Sequence, residues 1–152
     1  TLWRNLLPLV VAASLSTLLT FSACKSGEDP QPEPEPTQAE IVTGILTKSK
    51  WPLTSVTVEG ENAIDLFKDF SITFSATGYT TSGTTPVWAR TGTWTFVDAT
   101  TANKFKREDN VEVTIESISE SQLKLTLTWD KTTYAGGRSN SLKGKHEFVL
   151  SK

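Results

Sequence analysis

From about Glu40 onward, apolar and polar residues alternate one by one. Phe70, Ile72 and Phe74 share one face, with Ser71, Thr73 and Ser75 opposite. Trp88, Trp94 and Phe96 fall on one parity, and Thr91, Thr93 and Thr95 on the other. Val111, Val113 and Ile115 alternate with Glu112, Thr114 and Glu116. Leu123, Leu125, Leu127 and Trp129 alternate with Lys124, Thr126 and Thr128, and His146, Phe148 and Leu150 make a closing strand. A period of two with Thr-rich outer positions predicts antiparallel strands, each buried on one face.

Turn chemistry separates these segments. Ser82-Gly83 divides a strand near Tyr79 from one near Val87, while Glu108-Asp109-Asn110 and Ser119-Glu120-Ser121 supply short polar connections. Short strands joined by tight turns predict an all-β meander closed as a barrel or sandwich, which removes unpaired edges. Two helical pieces interrupt the pattern. Gln38 to Leu46 carries Ile41, Ile45 and Leu46, an amphipathic spacing that lets the helix plug one barrel end. Asn62 to Phe67 reads as a short helix or turn with Asn62 as its cap.

The segment ahead of the strands has another logic. An apolar run, Leu6 to Phe21, follows Arg4 and ends in Ser22-Ala23-Cys24. It is shorter than the roughly 20 residues of a spanning helix and matches the core and small-residue cleavage site of a secretory signal. This resembles a bacterial lipoprotein signal: residues 1–23 are removed, and Cys24 is lipidated as the mature N-terminus. Phe21 stands where such signals usually carry an aliphatic residue. Cys24 is the only cysteine in the chain, so maturation leaves no free thiol for catalysis, metal or redox work. Residues 24–39 then form the lipidated cysteine and a Pro/Glu-rich tether, extended in polyproline II. The acidic residues after Cys24 resemble the tag that sends some Bacteroidetes lipoproteins to the outer face of the outer membrane. The expected location is thus the cell envelope, with the chain held at the outer membrane through lipid on Cys24 and exposed at the surface.

Charge narrows the partners. Loss of residues 1–23 removes Arg4 from 15 basic residues and leaves all 17 acidic ones, a formal charge of −3. Lys104, Lys106 and Arg107 come nearest to a basic run and are followed at once by Glu108 and Asp109, which argues against nucleic-acid binding.

Several stretches together carry a family resemblance. They are Trp51 to Gly60, Phe70 to Gly78, Val87-Trp88, Gly92 to Phe96, the Ile115–Ile118 to Leu127–Trp129 hairpin, and Gly137-Arg138 ahead of Gly144 to Phe148. Residues 40–152 resemble the lipocalin-like domain of Bacteroidetes lipoproteins, a family that is mostly uncharacterised. The resemblance implies a small antiparallel barrel of about eight strands with a short N-terminal helix and room for a ligand cavity. It implies no activity. True lipocalins open their first strand with Gly-x-Trp, the Trp packing across the closed barrel end against a basic side chain. Here Ser49-Lys50-Trp51 stands in that place.

No catalytic or metal-binding constellation and no cofactor motif is visible. His146 is the only histidine, and neither G-x-S-x-G nor H-E-x-x-H occurs. Asp65, Asp69, Glu108 and Asp109 read as solvated turn residues, not as a glycosidase pair. The aromatic residues are the sharper signal. Trp94 and Trp129 are expected in the core, whereas Trp88 and Tyr79 are candidates for a ligand-binding rim. The loop 132–144 adds Tyr134 and Arg138 as candidate ligand contacts beside their structural reading as loop supports. The expected function is non-catalytic capture of a small apolar or sugar-like ligand. The alternative is docking of another envelope protein through the barrel surface and the 132–144 loop.

Overall fold

The computed structural model describes residues 32–84, 86–133 and 142–152. The signal segment and Cys24, together with Tyr134 and Arg138, lie outside the described residues. The chain divides into the units Thr1–Pro34 and Glu35–Lys152, and the second carries the elements that follow.

Helix α1 (Gln38–Leu46) begins where its chemistry requires. Thr37 Oγ1 accepts from the Glu40 backbone N–H, and Glu40 Oε2 accepts from the Thr37 N–H at 2.7 Å, a complete capping box. The buried face of α1 runs through Val42 and Leu46, with Ile45 half-buried. Ile41, expected on that face, is instead exposed, because it lies on the turn of the wheel opposite the sheet.

Among the described residues nine strands follow: β1 (Trp51–Val58), β2 (Glu61–Asn62), β3 (Ser71–Phe74), β4 (Gly78–Ser82), β5 (Thr91–Phe96), β6 (Lys104–Arg107), β7 (Glu112–Ile118), β8 (Gln122–Trp129) and β9 (Gly144–Ser151). Each strand from β3 to β9 pairs antiparallel with its neighbours in chain order, and β1 pairs with both β3 and β9. The result is a closed eight-stranded antiparallel barrel. β2 is an extra strand hung on the end of β1 by a two-residue turn, Glu59-Gly60, both at positive φ. A 3-10 turn, Ile64–Leu66, crosses the gap between β1 and β3. Its first N–H is taken by Asn62 Oδ1 at 3.0 Å, as expected of Asn62, although Ala63 holds the cap position itself.

Two strand expectations are corrected. Val87 and Trp88 belong to no strand; they lie in the connection between β4 and β5, where Pro86 has no N–H to give to a ladder. β6 was not among the expected strands; Lys104, Lys106 and Arg107 were weighed only as the nearest approach to a basic run. In the barrel Phe105 and Arg107 both point inward and are buried.

One end of the barrel is closed by α1 and Trp51. The Trp51 Nε1–H donates to the Leu46 carbonyl at 2.9 Å, and Lys152 Nζ lies 4.1 Å from the Trp51 ring centroid. The ends of the domain therefore meet through an indole packed under a basic side chain.

The interior is filled by rings. Toward the closed end, Trp94 and Phe74 each contact Phe105, with centroids 5.5 and 5.8 Å apart. Toward the other end, Trp88 meets Tyr79 at 5.4 Å and Phe148 at 6.0 Å, while Phe67 meets Phe148 edge-on at 5.4 Å. Arg107 enters this second cluster. Its guanidinium lies 4.6 Å from the Trp88 centroid and 5.9 Å from that of Trp129. Nη1 donates to the Val87 carbonyl at 3.0 Å, Nε donates to Asp109 Oδ1 at 3.1 Å, and Nη2 donates to Asp109 Oδ2. The arginine is thus a bolt between strand β6 and the Val87-Trp88 connection.

Removing one member of a buried pair leaves the other charge uncompensated and costs about 3–5 kcal/mol. Asp109 keeps 28% of its side-chain surface, so the lower part of that range applies. Asp109→Ala is expected to destabilise the barrel by about 3 kcal/mol in urea unfolding. A change within about 0.5 kcal/mol would show that solvent or a neighbouring group already balances Arg107.

Candidate ligand-binding site

The expected rim of Tyr79 and Trp88 is corrected by their burial: each keeps only 4% of its surface. The Val87-Trp88 connection turns inward and its indole occupies the space that a rim would have surrounded. Burial also pushes the Tyr79 phenol above its ordinary pKa, an effect that nearby Arg107 partly opposes. Of the four residues singled out for ligand contact, the structure brings Tyr79 and Trp88 together as packed core. Tyr134 and Arg138 lie outside the described residues. Beside them, Trp129 Nε1–H donates to Thr133 Oγ1 at 2.9 Å, and Leu142 is fully buried, which anchors both feet of the 132–144 connection.

His146 is the second polar intrusion into the interior. It is fully buried, its ring stacks on Phe148 with centroids 5.9 Å apart, and Phe67 meets it edge-on at 6.3 Å. Nδ1 lies 3.1 Å from the Gly144 carbonyl, which fits the tautomer with its proton on that nitrogen. Among the described residues, Nε2 is buried with no hydrogen-bond partner. Desolvation pulls the His146 pKa below its ordinary value of 6.5, against smaller opposing contributions from the Gly144 carbonyl and the Glu59 charge. The ring is accordingly neutral in the folded barrel at neutral pH.

Concave surfaces are found outside the barrel wall. A polar groove of about 470 Å³ crosses the outer face of β6 to β9, among Lys104, Glu112, Thr114, Thr126, Thr128 and Lys145. Its lysines and acids alternate and Lys104 pairs with Glu112 at 3.3 Å, so it presents no net charge to a ligand. A second depression, about 750 Å³, lies over the β1–β3 gap and is rimmed by Lys50, Asp65, Lys68 and Asp69.

The third differs in chemistry. A groove of about 580 Å³ runs between α1 and β5, with Trp94 and Phe96 on one wall and Ala39, Thr43 and Gly44 on the other. Ala76, Thr77 and Ala99 also line it. Its lining is mostly apolar, and it is shallow and open to solvent. The Trp94 indole is fixed by its N–H, which lies 3.0 Å from the Gly78 carbonyl and 3.2 Å from that of Ser75. Its ring meets Phe96 edge-on at 4.9 Å. The one carboxylate at the groove, Glu40, is engaged by Thr37, and those hydrogen bonds hold its pKa below the usual value. Trp94 was expected in the core and is buried; its second role at a groove was not readable, because the opposite wall belongs to a helix distant in sequence.

Comparison with protein-family models, curated proteins and solved structures found no match.

His146 gives the site region a pH signature. Its folded pKa lies below 6.5, so in acid the unfolded chain takes up a proton that the barrel resists. Stability contributed by the neutral ring is present above pH 6.5 and declines as pH falls toward the folded pKa. The slope is at most about 1.4 kcal/mol per pH unit for one proton. Urea midpoints measured from pH 7.5 to 5 are expected to fall, and His146→Phe is expected to flatten that part of the profile. An unchanged profile in the variant would assign the loss to other groups.

Proposed function

We propose that this chain is a lipid-anchored cell-envelope lipoprotein of the lipocalin-like kind whose barrel binds a small apolar ligand without catalysis. The observation that carries the ligand reading is the apolar groove between α1 and β5. The interior is occupied by the chain's own rings and by Arg107, so the binding surface moves to the outside of the wall. A cleft walled by a fixed indole and by small helix residues offers dispersion contact and burial to an apolar molecule. The Trp51–Lys152 pair supports the family reading, since it is the indole-under-cation arrangement that the resemblance implies. The address rests on the signal pattern around Cys24 and on the Pro/Glu tether.

A second reading is docking of an envelope protein at the same face. It is favoured by Ile41 and Val97, the large apolar residues that the described barrel leaves exposed, one on α1 and one just after β5.

Titration of the purified protein with the neutral dye Nile red tests the groove. Saturable binding is expected, with loss of at least tenfold in affinity in Thr43→Trp, whose indole fills the cleft, and little change in Trp88→Phe. Loss in Trp88→Phe with none in Thr43→Trp would return the site to the interior. The anchor is tested separately: Cys24→Ser is expected to shift the protein from the membrane fraction to the soluble fraction in the producing bacterium. Retention in the membrane would sink the lipid-anchor reading.

A further inference from the structure

His146 stands where the barrel closes. On β9 it lies opposite Val58 of β1 and Leu127 of β8, so its backbone belongs to the ladder that joins the two ends of the sheet. Its ring is fully buried against Phe148 and Phe67. Nδ1 meets the Gly144 carbonyl, and among the described residues Nε2 has no partner. In the neutral ring that nitrogen is an unused acceptor. Protonation would turn it into a charged donor inside an apolar cage, which costs far more. The cage therefore holds the ring only while it is neutral.

The charges around the cage offer no relief within it. From the β1–β2 turn, the Glu59 charge acts on the ring, but its carboxylate already accepts from the Lys145 N–H. β8 presents Leu127, and the connection after the 3-10 turn presents Phe67, whose neighbours Asp65, Lys68 and Asp69 are exposed. On β9 itself, Lys145 and Glu147 lie on the outer face and pair with each other at 3.1 Å. The interior cation from β6, Arg107, is paired with Asp109.

This end of the seam is also the one least able to resist. Glu59 and Gly60 turn at φ of 51° and 83°, and Gly144 sits at 129°. Glu59 is a side-chain-bearing residue in the left-handed region, which disfavours it. A Cβ at Gly144 would strike the Glu59 side chain. Two hydrogen bonds hold the junction. The Glu59 N–H donates to the Lys145 carbonyl at 2.8 Å, and the Lys145 N–H returns to the Glu59 carboxylate. A strained turn held this way yields before the continuous ladder from Gln122–Ser151 to Trp129–Gly144 does.

We propose that protonation of His146 opens the β1–β9 seam at its Glu59–Lys145 end while the rest of the wall stays paired. The open state gives the imidazolium its water and uncovers the contact between Phe67 and Phe148. Linkage fixes the sign and the ceiling. The caged ring titrates below 6.5 and the released ring near it, so the closed seam is favoured above pH 6.5 and loses ground as the pH falls. One proton raises the opening constant by at most about thirtyfold between pH 7.5 and 5.

Amide hydrogen exchange on the full chain tests this, with protection corrected for the intrinsic pH dependence of exchange. Between pH 7.5 and 5, protection at Val56 to Glu59 and Lys145 to Phe148 is expected to fall at least fivefold. Trp94 to Phe96 and Lys104 to Arg107, on the β5–β6 pair, are expected to change less than twofold. The fall should follow the titration of the His146 ring, read from its C–H NMR shifts. His146→Phe, which refills the cage with another ring, is expected to keep the seam protected at pH 5. An equal loss on β5–β6 would mean that the barrel loosens as a whole and would overturn the proposal. A seam still protected at pH 5 in the parent, or an undiminished fall in His146→Phe, would overturn it too. Where the phenylalanine variant folds poorly, the parent's contrast between the seam and β5–β6 decides alone.

Discussion

The pairing of β1 with β9 closes the sheet, and most of what the molecule can do follows from that closure. Val56 lies opposite Phe148 and Val58 opposite His146, so strands from the two ends of the domain share one ladder. Closure satisfies backbone groups that an open sheet would leave at its edges. It also fixes a small interior, because eight strands enclose only enough room for side chains or for one small ligand. The irregularities fall where the wall must bend: the register shifts between Leu53 and Ser55 on β1 and between Ile115 and Ser117 on β7. The β1–β3 contact is short, and the 3-10 turn at Ile64–Leu66 covers the remainder, with the Ala63 N–H returning to the Val56 carbonyl at 3.0 Å.

A closed wall of this size makes burial of Arg107 and His146 costly, and the structure handles the two differently. Arg107 is neutralised by Asp109, hydrogen-bonded to the Val87 carbonyl, and stacked on two indoles. Guanidinium sheds water more readily than ammonium and tolerates aromatic faces, so arginine suits this place and lysine would not. Its contribution is specificity as much as stability: it decides where the Val87-Trp88 connection lies. His146 is resolved by losing charge, at the expense of a nitrogen with no partner.

The strands were legible because alternation is enforced by a wall with one dry face. The apolar positions of Phe70 to Phe74, Val111 to Ile115, Leu123 to Trp129 and His146 to Leu150 all lie inward as their spacing implies, while Ser71 and Thr126, expected outside, are also buried. Helix α1 was readable in its bounds, although Ile41 of its expected apolar face is exposed. The failures share a cause. Arg107 occupies an inward position with a charged residue, so local patterning did not mark β6 as a strand. Trp88 was assigned to a strand on parity and to a rim from its place after Pro86-Val87 near a loop, whereas its ring packs against an arginine nineteen residues later, which no local pattern encodes. The groove was illegible for the same reason, since its walls come from α1 and β5 and meet only after the barrel closes.

Gly44 differs from those cases because it breaks a local rule in plain view. In an interior helical position it costs about 1 kcal/mol relative to alanine, and α1 is short enough to feel that loss. Close packing does not explain it, since an added Cβ would stand in open space. Side-chain packing separates the groove from the barrel interior. Inside, rings fill the space and Arg107 bolts the Val87-Trp88 connection in place, so the internal volume is committed to holding the wall. Outside, Trp94 is buried on one side by Phe74 and Phe105 and lines an open groove on the other. An indole held by its own hydrogen bonds is pre-organised for contact, because it loses little side-chain freedom when the space beside it is filled. The same closure that uses up the interior therefore supplies the stiffness of the outer groove.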